Sequence, residues 1–203
     1  MDESTTTRMI LASASPRRRD LLSQAGYVFD VVLPDVDESA FPVPAEGPAR
    51  YTEILALAKA RSVASRYPDR LVLGADTIAD LEGEIIGKPA DEADAERITR
   101  KLFSRPHRVI TGVALVKLAD GLEVVRSDVT TVYPRRLTDE LITRHLESGT
   151  WEGKAGAYAI QETGDEFVER LEGSLTNVMG LPMELLQRLL AELPSSPPEA
   201  SAS

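Results

Sequence analysis

The chain has 203 residues, no cysteine, two histidines and a net charge of −10. That length suits one large domain or one domain with two lobes, and the acidic balance excludes a general nucleic-acid binder, whose affinity comes from clustered basic residues. Without cysteine there is no disulfide, thiolate nucleophile or Cys-type zinc site, so a bound metal would be a hard cation such as Mg²⁺ or Mn²⁺ held by carboxylates. No apolar run approaches a membrane span of about 20 residues. The stretch "MDESTTTRMILAS" lacks a cationic segment followed by a hydrophobic one. A soluble cytoplasmic protein is expected, with neither a nucleic-acid polymer nor a membrane as partner.

Residues 1–7 are polar and read as a flexible N-terminus, 8–193 as one domain, and the Pro- and Ser-rich 194–203 as a disordered tail. Met9–Ala12 predicts a strand. Pro16–Ala25 predicts a helix with Ser15 as N-cap and Gly26 just past its end. A second strand is expected over Tyr27–Leu33, then a proline-rich loop and a helix from about Ala49 to Arg66 whose apolar face runs through Tyr51, Leu55, Ala58, Ser62 and Val63. "LVLGADTIAD" reads as a strand returning at Ile85–Ile86, and Asp91–Phe103 as a helix capped by Asp91. Arg108–Leu118 and Leu122–Val132 form a hairpin around Asp120-Gly121. Thr138–Glu147 predicts a helix, followed by a Gly-rich segment with short strands to about Leu171 and a last helix over Pro182–Leu193 opening on its proline. Hairpins mixed with helices imply a mixed sheet in an α/β or α+β domain, with the strand pairing left open.

Several residues could carry chemistry. Arg17, Arg18 and Arg19 sit in a helical first turn, where the backbone already presents positive charge. Arg17 and Arg18 can reach back to the helix mouth beside the hydroxyls of Ser13 and Ser15, which makes either an anion site or a solvated basic patch. Lys59 shares the apolar face of its helix, either snorkelling out or directed into a cleft. Asp76 and Thr77 lie inside a strand pattern, where Asp is depleted, so Asp76 is either a metal ligand or general base, or a strand-end carboxylate bonded to backbone. "GEIIGKP" is one residue short of a P-loop and has Pro89 in place of the required hydroxyl, which leaves Lys88 as a phosphate contact or a turn lysine. Gln161 could read a base edge or sit in a sheet, and Glu38 could face a metal or solvent.

The ordered series "SASPRR", "VDE", "LALAKA", "GADT", "GKP", "TGV", "KAGAYAIQ" and "NVMGLP", running from about Met9 to Leu190, resembles the Maf family of nucleoside triphosphate pyrophosphatases. The resemblance implies a mixed α/β fold, a twisted mixed sheet with flanking helices and two lobes around a central cleft, similar to inosine triphosphate pyrophosphatases. It implies hydrolysis of a nucleoside triphosphate between the α- and β-phosphates, with Mg²⁺ or Mn²⁺, and a homodimer. The "GADT" and "KAGAYxIQ" forms look like the branch acting on dTTP and UTP. By the same resemblance Asp76 is the proton acceptor, Arg17, Thr77 and Gln161 set specificity, and Ser13, Arg18, Glu38, Lys59 and Lys88 lie near phosphates and metal. Ser15 adds a donor at the helix mouth, and Arg19 falls outside the site. Leu175 departs from the pattern, which has an aromatic there. A nucleotide-binding regulator of septum formation with little turnover is the competing expectation.

Overall fold

The computed structural model describes residues 8–158, 160 and 167–194, so the expectations for 1–7, for Gln161 and for the tail beyond Pro194 fall outside the described residues. Strand β1 (Met9–Ala12) leads into helix α1 (Pro16–Gln24), β2 (Phe29–Val31) and α2 (Pro48–Ala64). Then come β3 (Val72–Leu81), β4 (Glu84–Ile86), α3 (Glu92–Leu102), β5 (His107–Lys117) and β6 (Leu122–Pro134). The remainder is α4 (Asp139–Glu147), β7 (Val168–Glu172), α5 (Leu175–Met179) and α6 (Met183–Ala191).

Local chemistry explains most of these boundaries. Pro16 and Pro48 stand at the first turns of α1 and α2, where a missing N–H costs nothing. The side chain of Asp91 accepts from the Asp94 N–H at 2.8 Å, and that of Thr138 from the Leu141 N–H at 3.3 Å, which starts α3 and α4. Gly26 adopts φ 79° directly after α1, and Gly121 adopts φ 62° in the β5–β6 turn. Three expectations need correction. The second strand is shorter than Tyr27–Leu33, because only Phe29–Val31 finds ladder partners on β1. The segment before Leu171 holds, among the described residues, a single-turn 3₁₀ helix over Ala155–Ala157 and one strand, β7. Pro182 is the N-cap of α6 and not its first helical residue.

Among the described residues the sheet has seven strands, in the order β2-β1-β3-β5-β6-β7 with β4 also paired to β3. Strand β3 changes partner along one edge. Its first residues pair in parallel with β1, ending at Ala12 opposite Gly74, and its last residues pair antiparallel with β4, beginning at Ala79 opposite Ile86. Between those ladders, residues 75–78 meet no described strand on that side. The apolar core divides at the same place. Leu73, Ala75, Val113 and Leu115 pack with α1 and α6, whereas Ala79, Leu81 and Val109 pack with α3 and β4. These two cores are the lobes, a third cluster with Ile10, Ala60, Val63 and Val72 lying under α2 on the other face of the sheet, and the gap on the β3 edge is the floor of the cleft between the lobes.

Helix α2 lies across β3 and β5 on two glycines. A Cβ on Gly74 would stand 2.2 Å from the carbonyl oxygen of Ala56, and one on Gly112 would stand 2.3 Å from that of Thr52. Helix backbone therefore rests directly on strand backbone, an approach that only glycine permits. This closeness also turns the helix. Its buried face is Thr52, Leu55, Ala56, Lys59, Ala60, Val63 and Ala64, displaced from the expected line through Ala58 and Ser62 toward its smallest side chains.

Candidate active site

Neighbouring residues on a strand point to opposite faces. Asp76 shares its face with Val72 and Gly74, under α2, while Thr77 faces α1 and α5. Asp76 stands opposite Gly112 in the β3–β5 register, so no side chain crowds it from that strand. From α2, Lys59 Nζ approaches to 2.5 Å from Asp76 Oδ1 and 2.8 Å from Glu38 Oε1. Lys59 and Asp76 are 8% and 6% exposed, which makes this a desolvated ion pair. No described residue bonds to Asp76 Oδ2, which leaves that oxygen available as an acceptor. Partial burial pushes the Glu38 carboxyl up, but the hydrogen bond and charge of Lys59, with Lys88 and Arg18 beyond, outweigh it and hold Glu38 below the usual carboxylate range.

On the other face Arg18 is a hub. Its Nε donates to the Gly180 carbonyl at 2.8 Å, Nη1 to Ser13 Oγ at 3.0 Å and Nη2 to Thr77 Oγ1 at 3.0 Å. Thr111 Oγ1 donates to the Asn177 carbonyl at 3.1 Å, and the Thr77 hydroxyl lies 2.9 Å from Thr111 Oγ1 and 3.4 Å from the Gly180 carbonyl, to which it can donate. The hydroxyl of Thr77 is thus engaged on both sides within the protein. Asn177, fully buried, gives its amide N–H groups to the Val109 carbonyl and Thr130 Oγ1, which anchors the loop ending at Gly180.

The helix mouth has the expected form with one change. Ser15 is the N-cap of α1, but its side chain makes no capping bond, and its own N–H donates to Ser13 Oγ at 3.2 Å. No described group accepts from the N–H groups of Arg17 and Arg18. Arg17 is half-buried and has no hydrogen-bonded partner among the described residues, whereas Arg19 is exposed and outside the cleft. Burial lowers the guanidinium pKa of Arg17 and of Arg18, opposed for Arg18 chiefly by the charge of Asp76. Lys154, also lining the cleft, is lowered by burial and by Arg17, with Glu152 opposing. Cations held away from water in this way favour an anion beside them.

These groups surround one cavity of about 810 Å³, lined by Ser13, Arg17, Arg18, Glu38, Lys59 and Asp76 among others, with Lys88 exposed at its rim. A volume of that size accommodates a nucleoside triphosphate. Ser15 and Thr77 also line it. The residues expected from sequence and lying among those described therefore converge. Others were not anticipated as site residues. Tyr51 lines the cleft two turns before Lys59 on α2, and burial followed by the charges of Asp76 and Glu38 raises its phenol pKa. Its spacing of eight from Lys59 was the available signal. Lys154 and Tyr158 belong to the quoted "KAGAYAIQ", yet carried no role there.

Tyr158 is held from behind by His107, itself 2% exposed. The Leu102 carbonyl, 3.1 Å from His107 Nδ1, can only accept, so that nitrogen carries the proton and Nε2 accepts from the Tyr158 hydroxyl at 2.9 Å. Burial depresses the His107 pKa to about 4, against the opposing pull of the Leu102 and Arg105 carbonyls. The unfolded chain takes up this proton near pH 6.5 and the folded chain does not until about pH 4, so stability falls as pH drops through that window. The expected loss is about 3 kcal/mol, from roughly 1.4 kcal/mol per pH unit. Urea unfolding at several pH values should give a flatter stability profile for His107→Gln than for the unaltered chain between these limits. Parallel profiles would contradict the buried neutral imidazole.

The family model for Maf-like proteins matches residues 8–193. A dTTP/UTP pyrophosphatase of Geobacter metallireducens is 49% identical over 178 residues, covering 87% of this chain and 91% of the relative. One from Symbiobacterium thermophilum is 45% identical over 185 residues, covering 91% and 93%. Among solved structures, the Staphylococcus aureus Ham1 protein shares the fold at TM-score 0.50 and 16% identity, covering 91% of this chain and 98% of its own. With the match running the length of both lobes and with relatives this similar over most of their length, the chain belongs to the Maf family.

Proposed function

We propose that this protein hydrolyses dTTP and UTP to the nucleoside monophosphate and pyrophosphate. The observation that carries this reading is Asp76, a buried carboxylate with one oxygen held by Lys59 and the other without a partner among the described residues, set in a cleft rimmed by desolvated cations. The substrates are those named for the relatives.

Asp76 Oδ2 orients a water for in-line attack on the α-phosphorus and accepts its proton as the bond to pyrophosphate breaks. Arg17, Lys88, Ser15 and the open N–H groups of α1 hold the polyphosphate, with Lys154 beside Arg17. Ser13 and Thr77 act through Arg18, whose guanidinium they keep in place at the cleft wall. Selection of uracil or thymine rests on Gln161 and Arg17. Thr77 supports that side indirectly, since its hydroxyl already has partners on both sides.

The residues present fit a divalent cation. Glu38 and Asp76 are hard oxygen donors that one positive charge already bridges, and Mg²⁺ or Mn²⁺ commonly takes one or two carboxylates with phosphate oxygens completing its shell. No group of three or more acidic, His or Cys side chains suited to a metal occurs among the described residues, which fits a site the substrate helps to complete. Such an ion, when bound, neutralises charge on the phosphates.

Product identity tests the reading. Purified protein with dTTP or UTP and Mg²⁺ or Mn²⁺ should release monophosphate and pyrophosphate in equal amounts. Diphosphate with orthophosphate would overturn it.

A further inference from the structure

Lys59 Nζ bridges the two carboxylates that would hold the metal. On the reading given above, Glu38 and Asp76 are the protein's ligands to the divalent cation, yet one ammonium already bridges them, 2.8 Å from Glu38 Oε1 and 2.5 Å from Asp76 Oδ1. A second cation cannot take those two oxygens while the ammonium holds them, because like charges at contact distance repel, most strongly at the buried Asp76 end, the Glu38 side chain being 47% exposed. Nor can the lysine drift away unaided. Lys59 is 8% exposed, it belongs to the buried face of α2, and water offers its amine no partner comparable to two carboxylates.

We infer that Lys59 is a resident counter-ion that excludes the metal until a polyphosphate arrives to take the lysine. The anion supplies oxygens to which Nζ can turn about its flexible stem while the carboxylates pass to the metal. Lys88 and Arg17 cannot play this part, since neither is paired to the carboxylates. Metal and nucleotide then bind as a coupled pair, each raising the affinity for the other by the same factor. In the absence of nucleotide the lysine also prevents Glu38 and Asp76 from facing each other as uncompensated like charges.

The test is Mn²⁺ binding to the full chain without nucleotide, read from the electron paramagnetic resonance signal of free Mn²⁺. The unaltered protein and Lys59→Arg should bind weakly, and Lys59→Met at least tenfold more tightly. A Lys59→Met variant that binds Mn²⁺ no better than the unaltered chain overturns the inference. Because losing the lysine strains the buried carboxylates, a second measurement uses the unaltered protein. Acylation of Lys59, followed by mass spectrometry against Lys101 as reference, should accelerate severalfold as Mn²⁺ is bound. An unchanged rate at measured Mn²⁺ occupancy also refutes displacement. Hydrolysis of dTTP is assayed alongside. Normal turnover with no gain in Lys59→Met removes the counter-ion role alone, whereas absence of pyrophosphate from the unaltered chain removes the reading of the site as well.

Discussion

Replacing Asp76 by Asn should lower the rate of dTTP hydrolysis by roughly 10²–10⁴-fold while changing nucleotide affinity only a few-fold. The amide keeps the shape and one oxygen acceptor for Lys59, so the strand and helix stay in register. What it loses is a second anionic oxygen able to take a proton from water. Lys59 retains Glu38 as a partner at 2.8 Å, which limits the structural cost of the change. Single-turnover hydrolysis separates the chemical step from binding, and calorimetric titration with the nucleotide reports affinity directly. A variant that turns over within a few-fold of the unaltered enzyme would remove Asp76 from the chemistry. Equal losses in affinity and rate would instead make it a structural or metal-holding group only.

The three arginines of α1 should separate into three behaviours. Arg18→Ala removes donors to the Gly180 carbonyl, Ser13 Oγ and Thr77 Oγ1 together. Hydrogen bonds from a charged group contribute about 1.5–3 kcal/mol each and are not additive, so a stability loss of roughly 2–4 kcal/mol is expected, together with a large rise in KM for dTTP. Arg17→Ala should raise KM with little loss of stability, because its guanidinium has no hydrogen-bonded partner among the described residues. Arg19→Ala, at an exposed position, should leave KM unchanged and move stability by no more than about 0.5 kcal/mol. Urea unfolding and steady-state kinetics on the three variants decide the matter. Identical unfolding for Arg17→Ala and Arg18→Ala would show that the hydrogen bonds of Arg18 do not anchor the Gly180 loop.

Much of this architecture is legible in the sequence because prolines, glycines and capping residues punctuate it. Pro16, Gly26, Pro48, Asp91 and Thr138 mark helix ends within a residue or two of where they fall. Helix α5 escaped because five residues show no helical period, and it forms through tertiary partners. Ser174 caps it at the Asn177 N–H, and Asn177 is buried against β5 and β6. The change of partner along β3 escaped for a similar reason: alternation marks a strand but does not say which strand lies beside it. Within the site, helical spacing placed Lys59 on an inward face, and the oddity of Asp in a strand marked Asp76. That the two meet depends on α2 crossing β3 above Gly74, which no local pattern encodes. The same gap hid the division between arginines. Charge alone left Arg17 and Arg18 together between an anion site and a solvated patch, and only the Gly180 loop, far along the chain, shows Arg18 tied to the protein.

The pair of glycines under α2 also sets the mechanical character of the site. Helices that pack through side chains can slide by small amounts as rotamers adjust, and such shear is a common way for clefts to open and close. Here the Ala56 and Thr52 carbonyls lie against Gly74 and Gly112 with no side chain between to yield. Substitutions elsewhere in the core can be absorbed by neighbouring rotamers, but the separation of the backbones that carry Lys59 and Asp76 is governed by the contact of helix on strand. The wall that carries Asp76 is an anvil of fixed shape, and whatever adjustment a ligand demands falls to side chains and to the opposite wall that carries Lys88 and Lys154.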